Sequence, residues 1–358
     1  MSRDGSATNA SKWTYAIAGT LQRMLEYAGY TETSVVTQLN FFSKYVAPIL
    51  GPFIDEHSDG AQWQSFMTDS HTPIELSWSW SASAKLPQVR YSVDPIPNVF
   101  TKKNNASNIE ATREFLRKSA PSIPGLKTDL YDYMLRKLCI DSHNAANIPR
   151  SQQFLGFDLK NHEVALKAYF LPQRRVLQSG LSTLDLTKST MKQITFFDSE
   201  LENAMKVMLD YLSLDSTVHL ETEIIAIDCA EARKSRIKIY FRTRNTSLSS
   251  VLDVMTLGGR LPALSPENER SLRELWISVL NLRSDEQKLR SVSHRTAGIL
   301  YYMEFRLDTH FPKPKLYIPV RHYGINDYRI AHGLSQFLEK RGKGFANGTT
   351  YLQGVQRL

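Results

Sequence analysis

The sequence predicts an α+β fold in which one antiparallel β-barrel is surrounded by helices. Three observations support this prediction: strand pairs alternate with helices, four such units follow one another, and each returning strand has one apolar and one polar face. Hairpins that join edge to edge into a barrel leave few free sheet edges. Because the units recur roughly every 70–80 residues, beyond solenoid periods, we expect a single domain over residues 12–358 and a disordered tail over residues 1–11.

Helices are predicted where apolar residues recur at helical spacing, as at Ile17, Leu21 and Leu25. The predicted helices cover 13–28, 33–49, 108–118, 128–138, 189–212, 249–255, 266–280 and 327–341. Strand pairs, each broken by a short turn, are predicted at 74–83 with 88–95, 152–160 with 163–171, 217–228 with 235–242, and 296–307 with 314–322. The order gives four copies of helix, strand, strand, helix.

Side chains alternate between the two faces of a strand, so each returning strand can be divided into two faces. One face is aliphatic, as at Leu166 and Ala168. The other face carries Arg90 in the first pair, Lys167 and Tyr169 in the second, Arg236, Lys238 and Tyr240 in the third, and Lys315 and Tyr317 in the fourth. A single hairpin of this kind often turns its polar face to water. Four hairpins that all need helices outside predict instead a polar lumen.

A lumen rich in lysine and arginine is suited to an anion. A diphosphate fits, because the cations neutralise its charge and tyrosine hydroxyls donate to its oxygens. Tyrosine rings also stabilise a nearby cation by about 0.5–2 kcal/mol each. The pattern therefore indicates a reaction that separates an allylic cation from diphosphate. The sequence contains no DDxxD-type motif, so we expect fixed cations, with no metal and no cofactor, to hold the diphosphate.

Glu75 is a lone carboxylate on the serine-lined face of the first strand, beside Ser77 and Ser79. One reading is an ion pair with Arg90 across the hairpin, which is worth little at a surface. The other is an acceptor for an indole N–H, which would orient the ring and raise its electron density during attack. The sequence leaves both readings open.

Several segments together resemble the indole prenyltransferases of the dimethylallyltryptophan synthase type, which have the ABBA barrel. They are Glu75, residues 89–96, 166–169, 236–240, 255–260 and 312–323. The resemblance implies transfer of a prenyl group, commonly dimethylallyl, from its diphosphate to an indole without a required metal. It implies that Glu75 anchors the indole. It also implies diphosphate ligands at Arg90, Lys167, Arg236, Lys238 and Lys315, and a tyrosine shield over the cation at Tyr169, Tyr240 and Tyr317.

The sequence departs from the family pattern in two places. Members that act on free tryptophan carry a lysine in the strand before Lys-x-Tyr, where this chain has Phe154, or Gln153 if the alignment slips by one. We therefore expect Phe154 in the acceptor pocket and a tryptophan-containing cyclic dipeptide or an indole alkaloid as acceptor. A phenol such as tyrosine, or a hydroxynaphthalene, is the alternative. The family's fifth hairpin is expected to be missing after Leu358, which would leave a barrel edge open.

The composition of the chain narrows the classes of function that remain. The 358 residues carry a net charge of +8, two cysteines and nine histidines without an HExxH motif, which disfavours a zinc site. The polar start and the lack of a long apolar run predict no signal peptide and no membrane span. We expect a cytoplasmic monomer or homodimer without nucleic-acid or membrane partners. The rival class is a non-catalytic barrel that binds anions or nucleic acid through exposed cations and aromatics.

Overall fold

The structure is a computed structural model, and it describes residues 8–54, 63–97, 107–140, 151–196, 198–214, 220–307 and 309–358. Eight strands form one curled antiparallel sheet in which each strand pairs with the next along the chain. The strands are β1 (Ile74–Ser79), β2 (Gln88–Val93), β3 (Gln153–Lys160), β4 (Glu163–Phe170), β5 (Leu220–Asp228), β6 (Ile237–Thr243), β7 (Ile299–Phe305) and β8 (Lys313–Tyr317). The four predicted strand pairs are confirmed. Within the described ranges, β8 and β1 do not pair with each other.

Twelve α-helices lie before, between and after the strands in the described residues. They are α1 (Asn9–Tyr27), α2 (Glu32–Phe41), α3 (Ile109–Ser119), α4 (Asp129–Leu138), α5 (Gln173–Ser179), α6 (Thr183–Lys192), α7 (Ser199–Leu212), α8 (Leu248–Met255), α9 (Pro266–Leu280), α10 (Val320–Tyr323), α11 (Asp327–Glu339) and α12 (Tyr351–Gln356). In this part of the chain, no helix has the length and apolar character needed to cross a membrane.

The aliphatic faces of the strands pack against the helices, as the alternation predicted. Val89, Leu155 and Ala168 are fully buried in one continuous apolar core with side chains of α1, α3 and α4. Trp78 on β1 lies on this outer face, and its indole Nε1–H donates to the carbonyl oxygen of Met24 in α1 at 3.1 Å. The polar faces therefore turn inward and form a lumen. The confirmed architecture is the predicted α+β barrel with helices outside.

Several predicted boundaries are wrong for local reasons. Helix α1 begins at Asn9, because the Thr8 hydroxyl caps it by accepting from the Ser11 amide at 3.2 Å. Residues 9–11 are therefore helical, and residues 1–7 of the predicted tail lie outside the described residues. The last predicted strand ends at Tyr317, since Pro319 cannot donate to a sheet ladder and instead precedes the short helix α10.

Two predicted helices are also interrupted. The helix predicted at 33–49 changes after Phe41 into a π-helical turn, Phe42–Val46, and then a 3₁₀ turn, Ala47–Ile49, which contains a proline in its first turn. The helix predicted at 189–212 is two helices, because Asp198 caps a new start by accepting from the Leu201 amide at 2.9 Å. Position 197 and residues 217–219 of the predicted fifth strand lie outside the described residues.

A buried carboxylate fixes one end of the barrel. Asp94, directly after β2, accepts hydrogen bonds from Ser65 at 2.9 Å, Ser151 at 2.7 Å and Asn108 at 3.0 Å. Asn108 also donates to the carbonyl oxygen of Gln153 at 2.5 Å. Burial raises the pKa of Asp94 to about 6, and these hydrogen bonds oppose the rise. The network thus holds the start of β3, and with it Phe154, in place.

Candidate active site

The polar faces of the strands enclose a cavity of about 310 Å³ inside the sheet. Its walls include six of the residues singled out from the sequence: Glu75, Arg90, Lys167, Tyr169, Lys315 and Tyr317. A larger cavity of about 630 Å³ lies outside the lumen, beside the turn between β6 and α8. Arg244, which lines this cavity, has a structural role, since it donates to the carbonyl oxygens of His294 and Ala297 at 2.9 and 2.7 Å. We therefore place the candidate site in the lumen.

Basic side chains project into the lumen from all four returning strands. Lys167 and Lys238 are buried, at 8% and 4% exposure, whereas Arg90 and Arg236 are half-buried. Burial lowers the pKa of Lys167, and it lowers the pKa of Lys238 to about 8. Burial and the nearby charges of Arg90 and Lys167 also lower the pKa of Lys315. The structure thus brings all five predicted cations together, at the cost of removing several from water.

Three acidic side chains that the sequence reading missed lie among these cations. Asp158 on β3 pairs with Arg90 at 3.1 Å and with Lys167 at 2.6 Å. Asp228 on β5 pairs with Arg236 at 2.5 Å and with Lys238 at 3.6 Å. Glu304 on β7 lies 3.7 Å from Arg236. The carboxylates occupy alternate strands, so positive and negative side chains follow one another around the wall from β2 to β7.

Four tyrosines form a connected group on the inner faces of β4, β6, β7 and β8. The ring of Tyr240 lies with its centroid 6.1 Å from that of Tyr169, 5.1 Å from Tyr302 and 6.0 Å from Tyr317. The Lys315 ammonium lies 5.7 Å from the Tyr302 ring centroid and 5.1 Å from that of Tyr317. Burial raises the pKa of each phenol, so all four stay neutral hydrogen-bond donors. Tyr302 is a further residue that the sequence reading missed.

Phe154 continues this aromatic surface on β3. Its ring stacks on Tyr169 with centroids 4.2 Å apart and planes 10° from parallel. Phe66 meets the same Phe154 ring edge-on at 5.5 Å. Gly156, two residues along β3, makes the stack possible, because a Cβ at this position would lie 2.9 Å from Cε2 of Tyr169. The stack therefore depends on a glycine on the lumen face.

Glu75 lies on β1 at the edge of the sheet, and it does not pair with Arg90 as one sequence reading suggested. Arg90 faces Ser77 in the register and pairs with Asp158, while Glu75 faces Ser92. Within the described residues, the Glu75 carboxylate has neither an ion pair nor a hydrogen bond. Its exposed side chain lines the lumen cavity, where the surrounding walls partly desolvate the carboxylate and raise its pKa. Such a carboxylate is ready to accept a hydrogen bond or a proton.

The arrangement separates two chemical capacities. One wall offers cations that neutralise a multiply charged anion, and the tyrosine rings offer π faces to a cation beside it. The lone carboxylate of Glu75 offers a base on the other side. No group of three or more His, Cys, Asp or Glu side chains within the described ranges is arranged to hold a metal ion. The lumen carboxylates Asp158, Asp228 and Glu304 are each engaged by a cation.

Comparisons with known proteins agree with this description. The family model for tryptophan dimethylallyltransferase matches residues 9–353. A 4-O-dimethylallyl-L-tyrosine synthase from Claviceps purpurea is 38% identical over 97% of this chain and 80% of its own length. A 7-dimethylallyltryptophan synthase from Aspergillus fumigatus is 29% identical over 94% of this chain and 75% of its own length.

A solved structure supports the fold independently. The crystal structure of AnaPT from Neosartorya fischeri superposes with a TM-score of 0.79 at 24% identity, and the match covers 94% of this chain and 82% of that one. The predicted resemblance is confirmed by the family match, and the relatives are enzymes that prenylate aromatic acceptors. The chain belongs to the tryptophan dimethylallyltransferase family, and it is an aromatic prenyltransferase with the ABBA fold.

Proposed function

We propose that the enzyme transfers a dimethylallyl group from its diphosphate to the phenolic oxygen of a tyrosine, and that Glu75 takes the hydroxyl proton. The observation that carries this proposal is the Glu75 carboxylate, which lies in the lumen without a partner among the described residues and with a raised pKa. A carboxylate in this state is a better proton acceptor than one tied to a cation.

The reaction breaks one bond and forms one bond. The bond between C1 of the dimethylallyl group and the diphosphate oxygen breaks, and the leaving diphosphate keeps the electron pair. A bond forms between C1 and the phenolic oxygen, while the phenolic proton passes to Glu75. No oxidant, reductant or further reactant is needed.

The cationic wall supports the leaving group in this proposal. Arg90, Lys167, Arg236, Lys238 and Lys315 would neutralise the diphosphate through charge-assisted hydrogen bonds, which are roughly twice as strong as neutral ones. Tyr169, Tyr240, Tyr302 and Tyr317 would surround the allylic cation and keep water away from it. Because these cations are fixed to the barrel wall, we expect them to hold the diphosphate without a metal ion.

The acceptor follows from the number of bases that the reaction needs. Attack by an indole carbon requires a base for the ring proton that is lost afterwards, and β3 has Phe154 where the family's tryptophan enzymes are expected to carry lysine. Attack by a phenolic oxygen requires only one base for the hydroxyl proton, the role proposed for Glu75. The tyrosine-prenylating relative is also more similar to this chain, at 38% identity, than the tryptophan-prenylating relative, at 29%. An indole N–H that donates to Glu75 is the competing acceptor.

An acceptor panel tests the proposal. Purified enzyme is incubated with dimethylallyl diphosphate in EDTA and with L-tyrosine, L-tryptophan or a cyclic dipeptide that contains tryptophan, and products are identified by NMR. We expect L-tyrosine to give the O-dimethylallyl ether as the main product. Turnover of the indoles alone would show that the acceptor assignment is wrong. Complete loss of turnover in EDTA, restored by magnesium, would show that the wall cations do not suffice for the diphosphate.

A further inference from the structure

The three lumen carboxylates are unexpected in a site for an anion. Asp158, Asp228 and Glu304 lie within ion-pair distance of cations proposed to bind the diphosphate. Each negative charge repels a diphosphate and so lowers the attraction of the wall for the donor. Their presence therefore requires a compensating advantage.

The advantage lies in the state of the lumen before the donor arrives. Several cations stand close together in a buried wall, and both burial and mutual repulsion favour loss of protons from the lysines. The groups that face Lys238 are Arg236 directly before its own strand, Lys167 on β4, Asp228 on β5, and Tyr302 and Glu304 on β7. Burial, Arg236 and Lys167 lower the pKa of Lys238, whereas Asp228 and Glu304 raise it. The carboxylates thus keep the ammonium charged.

Asp228 has the strongest geometry for this role. Its carboxylate accepts from both Nε and Nη2 of Arg236, at 2.5 and 3.0 Å, so the guanidinium is held in one orientation. The same carboxylate lies 3.6 Å from Lys238, and its backbone is opposite Lys167 in the strand register. Burial would raise the pKa of Asp228, but Arg236, Lys238 and Lys167 together lower it, so the group stays ionised. Asp158 joins Arg90 to Lys167 in the same way.

We propose that Asp228 and Asp158 are positioning residues of the donor site, which hold the neighbouring cations in fixed places and in their charged form until a prenyl diphosphate binds. The inference rests on the proposed use of this wall for a diphosphate. It assigns to the carboxylates no contact with the substrate. An ordinary structural ion pair is the competing explanation, and it predicts a change in stability alone.

The pH dependence of donor use separates these explanations. The quantity measured is kcat/KM for dimethylallyl diphosphate between pH 6 and 9.5, in wild type, Asp228→Asn and Asp228→Glu. A neighbouring opposite charge shifts a pKa by about 1–3 units. We therefore expect the alkaline fall of Asp228→Asn to begin at least about one unit lower than in wild type, with about tenfold lower kcat/KM at pH 8. The acceptor KM should stay constant, and Asp228→Glu should restore most of the wild-type profile.

Two controls keep the test decisive. Asp253→Asn removes a carboxylate that accepts from Tyr211 at 2.7 Å outside the lumen, and its profile should match wild type. Calorimetric binding of inorganic diphosphate at pH 7 and 9 gives the same comparison without turnover, and Asp158→Asn repeats it at a second site. A profile of Asp228→Asn that is lowered equally at every pH would overturn the inference and leave the proposed function intact. Failure of the wild type to bind diphosphate at any pH would overturn both.

Discussion

The two sides of the lumen differ in whether their charged side chains form ion pairs. On the wall from β2 to β7, each acidic side chain lies beside a cation, as Asp158 does between Arg90 and Lys167. On β8 and β1, the two end strands of the sheet, Lys315 and Glu75 carry charges that have no ion pair within the described residues. Lys315 is instead flanked by the rings of Tyr302 and Tyr317.

This difference indicates which groups are reserved for substrates. A buried charge without a counter-charge costs stability, whereas a paired and hydrogen-bonded charge offsets much of its desolvation. Proteins retain such costly groups mainly at functional sites. Neutralising an unpaired group should therefore raise stability and lower activity. Neutralising a paired group should lower both stability and activity.

Glu75→Gln should have the largest effect on rate. The amide keeps the shape of the side chain but cannot accept the phenolic proton, so kcat with the tyrosine acceptor should fall by about 10²–10³. The pKa of Glu75 is raised, so its ionisation weakens folding as pH rises through that pKa. The same variant should therefore unfold at a higher temperature than wild type at neutral pH. Steady-state kinetics and thermal unfolding measure the two effects.

The nature of the acceptor sharpens the Glu75 comparison. A fluorinated tyrosine ionises more readily and needs less help from a base, so Glu75→Gln should lose less activity with it than with tyrosine. Ser77→Ala, a change on the same strand face, is the matched control and should leave kcat within about twofold of wild type. Equal losses on both acceptors would indicate that Glu75 acts through folding or orientation and not as a base.

Substitution of the paired Lys167 and of the unpaired Lys315 should have different effects on stability. Lys315→Met and Lys167→Met should each remove one of the charge-assisted bonds proposed for the donor, so each should lower kcat/KM for dimethylallyl diphosphate by about 10–100-fold, or roughly 1.5–3 kcal/mol. Lys167→Met also leaves Asp158 with one partner fewer, so its melting temperature should fall. Lys315→Met removes an unpaired ammonium whose pKa is lowered in the barrel, so its melting temperature should rise. Identical stability changes in the two variants would contradict the comparison of the walls.

The pH dependence of kcat/KM for the donor should reflect the protonation state of Lys238. Its pKa is lowered to about 8, so the ammonium is lost as pH rises through that value and the diphosphate loses an ionic partner. We expect kcat/KM for the donor to fall several-fold between pH 7.5 and 9. An arginine stays charged in this range, so Lys238→Arg should move the fall to higher pH. A wild-type profile that is flat to pH 9.5 would show that Lys238 stays protonated or does not contact the donor.

The fold was accessible from the sequence because its signals are local and repeated. Alternation on β4, where Lys167 and Tyr169 oppose Leu166 and Ala168, gives the inward face directly. The breaks at Pro319 and Asp198 were missed, since one residue that stops or starts an element outweighs a continuing apolar pattern.

The site could be predicted only in part, because charged residues were considered on the returning strands alone. The first strands of the pairs carry Asp158, Asp228 and Glu304 on the same inward faces, and alternation from Phe154 through Gly156 to Asp158 would have revealed the first of them. The partners of each carboxylate depend on the register between strands, which places Lys167 opposite Asp228. This register cannot be read from the sequence. The isolation of Glu75 is likewise a property of the assembled barrel.

The smallest effect is expected at the aromatic stack between Phe154 on β3 and Tyr169 on β4. Phe154→Leu removes the ring that stacks on Tyr169 at 4.2 Å, and such a pair contributes about 0.5–1.5 kcal/mol beyond its buried area. Freed from the stack, Tyr169 should cover the allylic cation less well, and kcat/KM for the donor should fall about 2–10-fold. Phe241→Leu is the matched control, because Phe241 stacks on Tyr301 outside the barrel at 5.9 Å. Both variants should lose stability in denaturant unfolding, but only Phe154→Leu should change the kinetics. Unchanged kinetics in Phe154→Leu would mean that the stack supports the wall and does not position Tyr169 for the reaction.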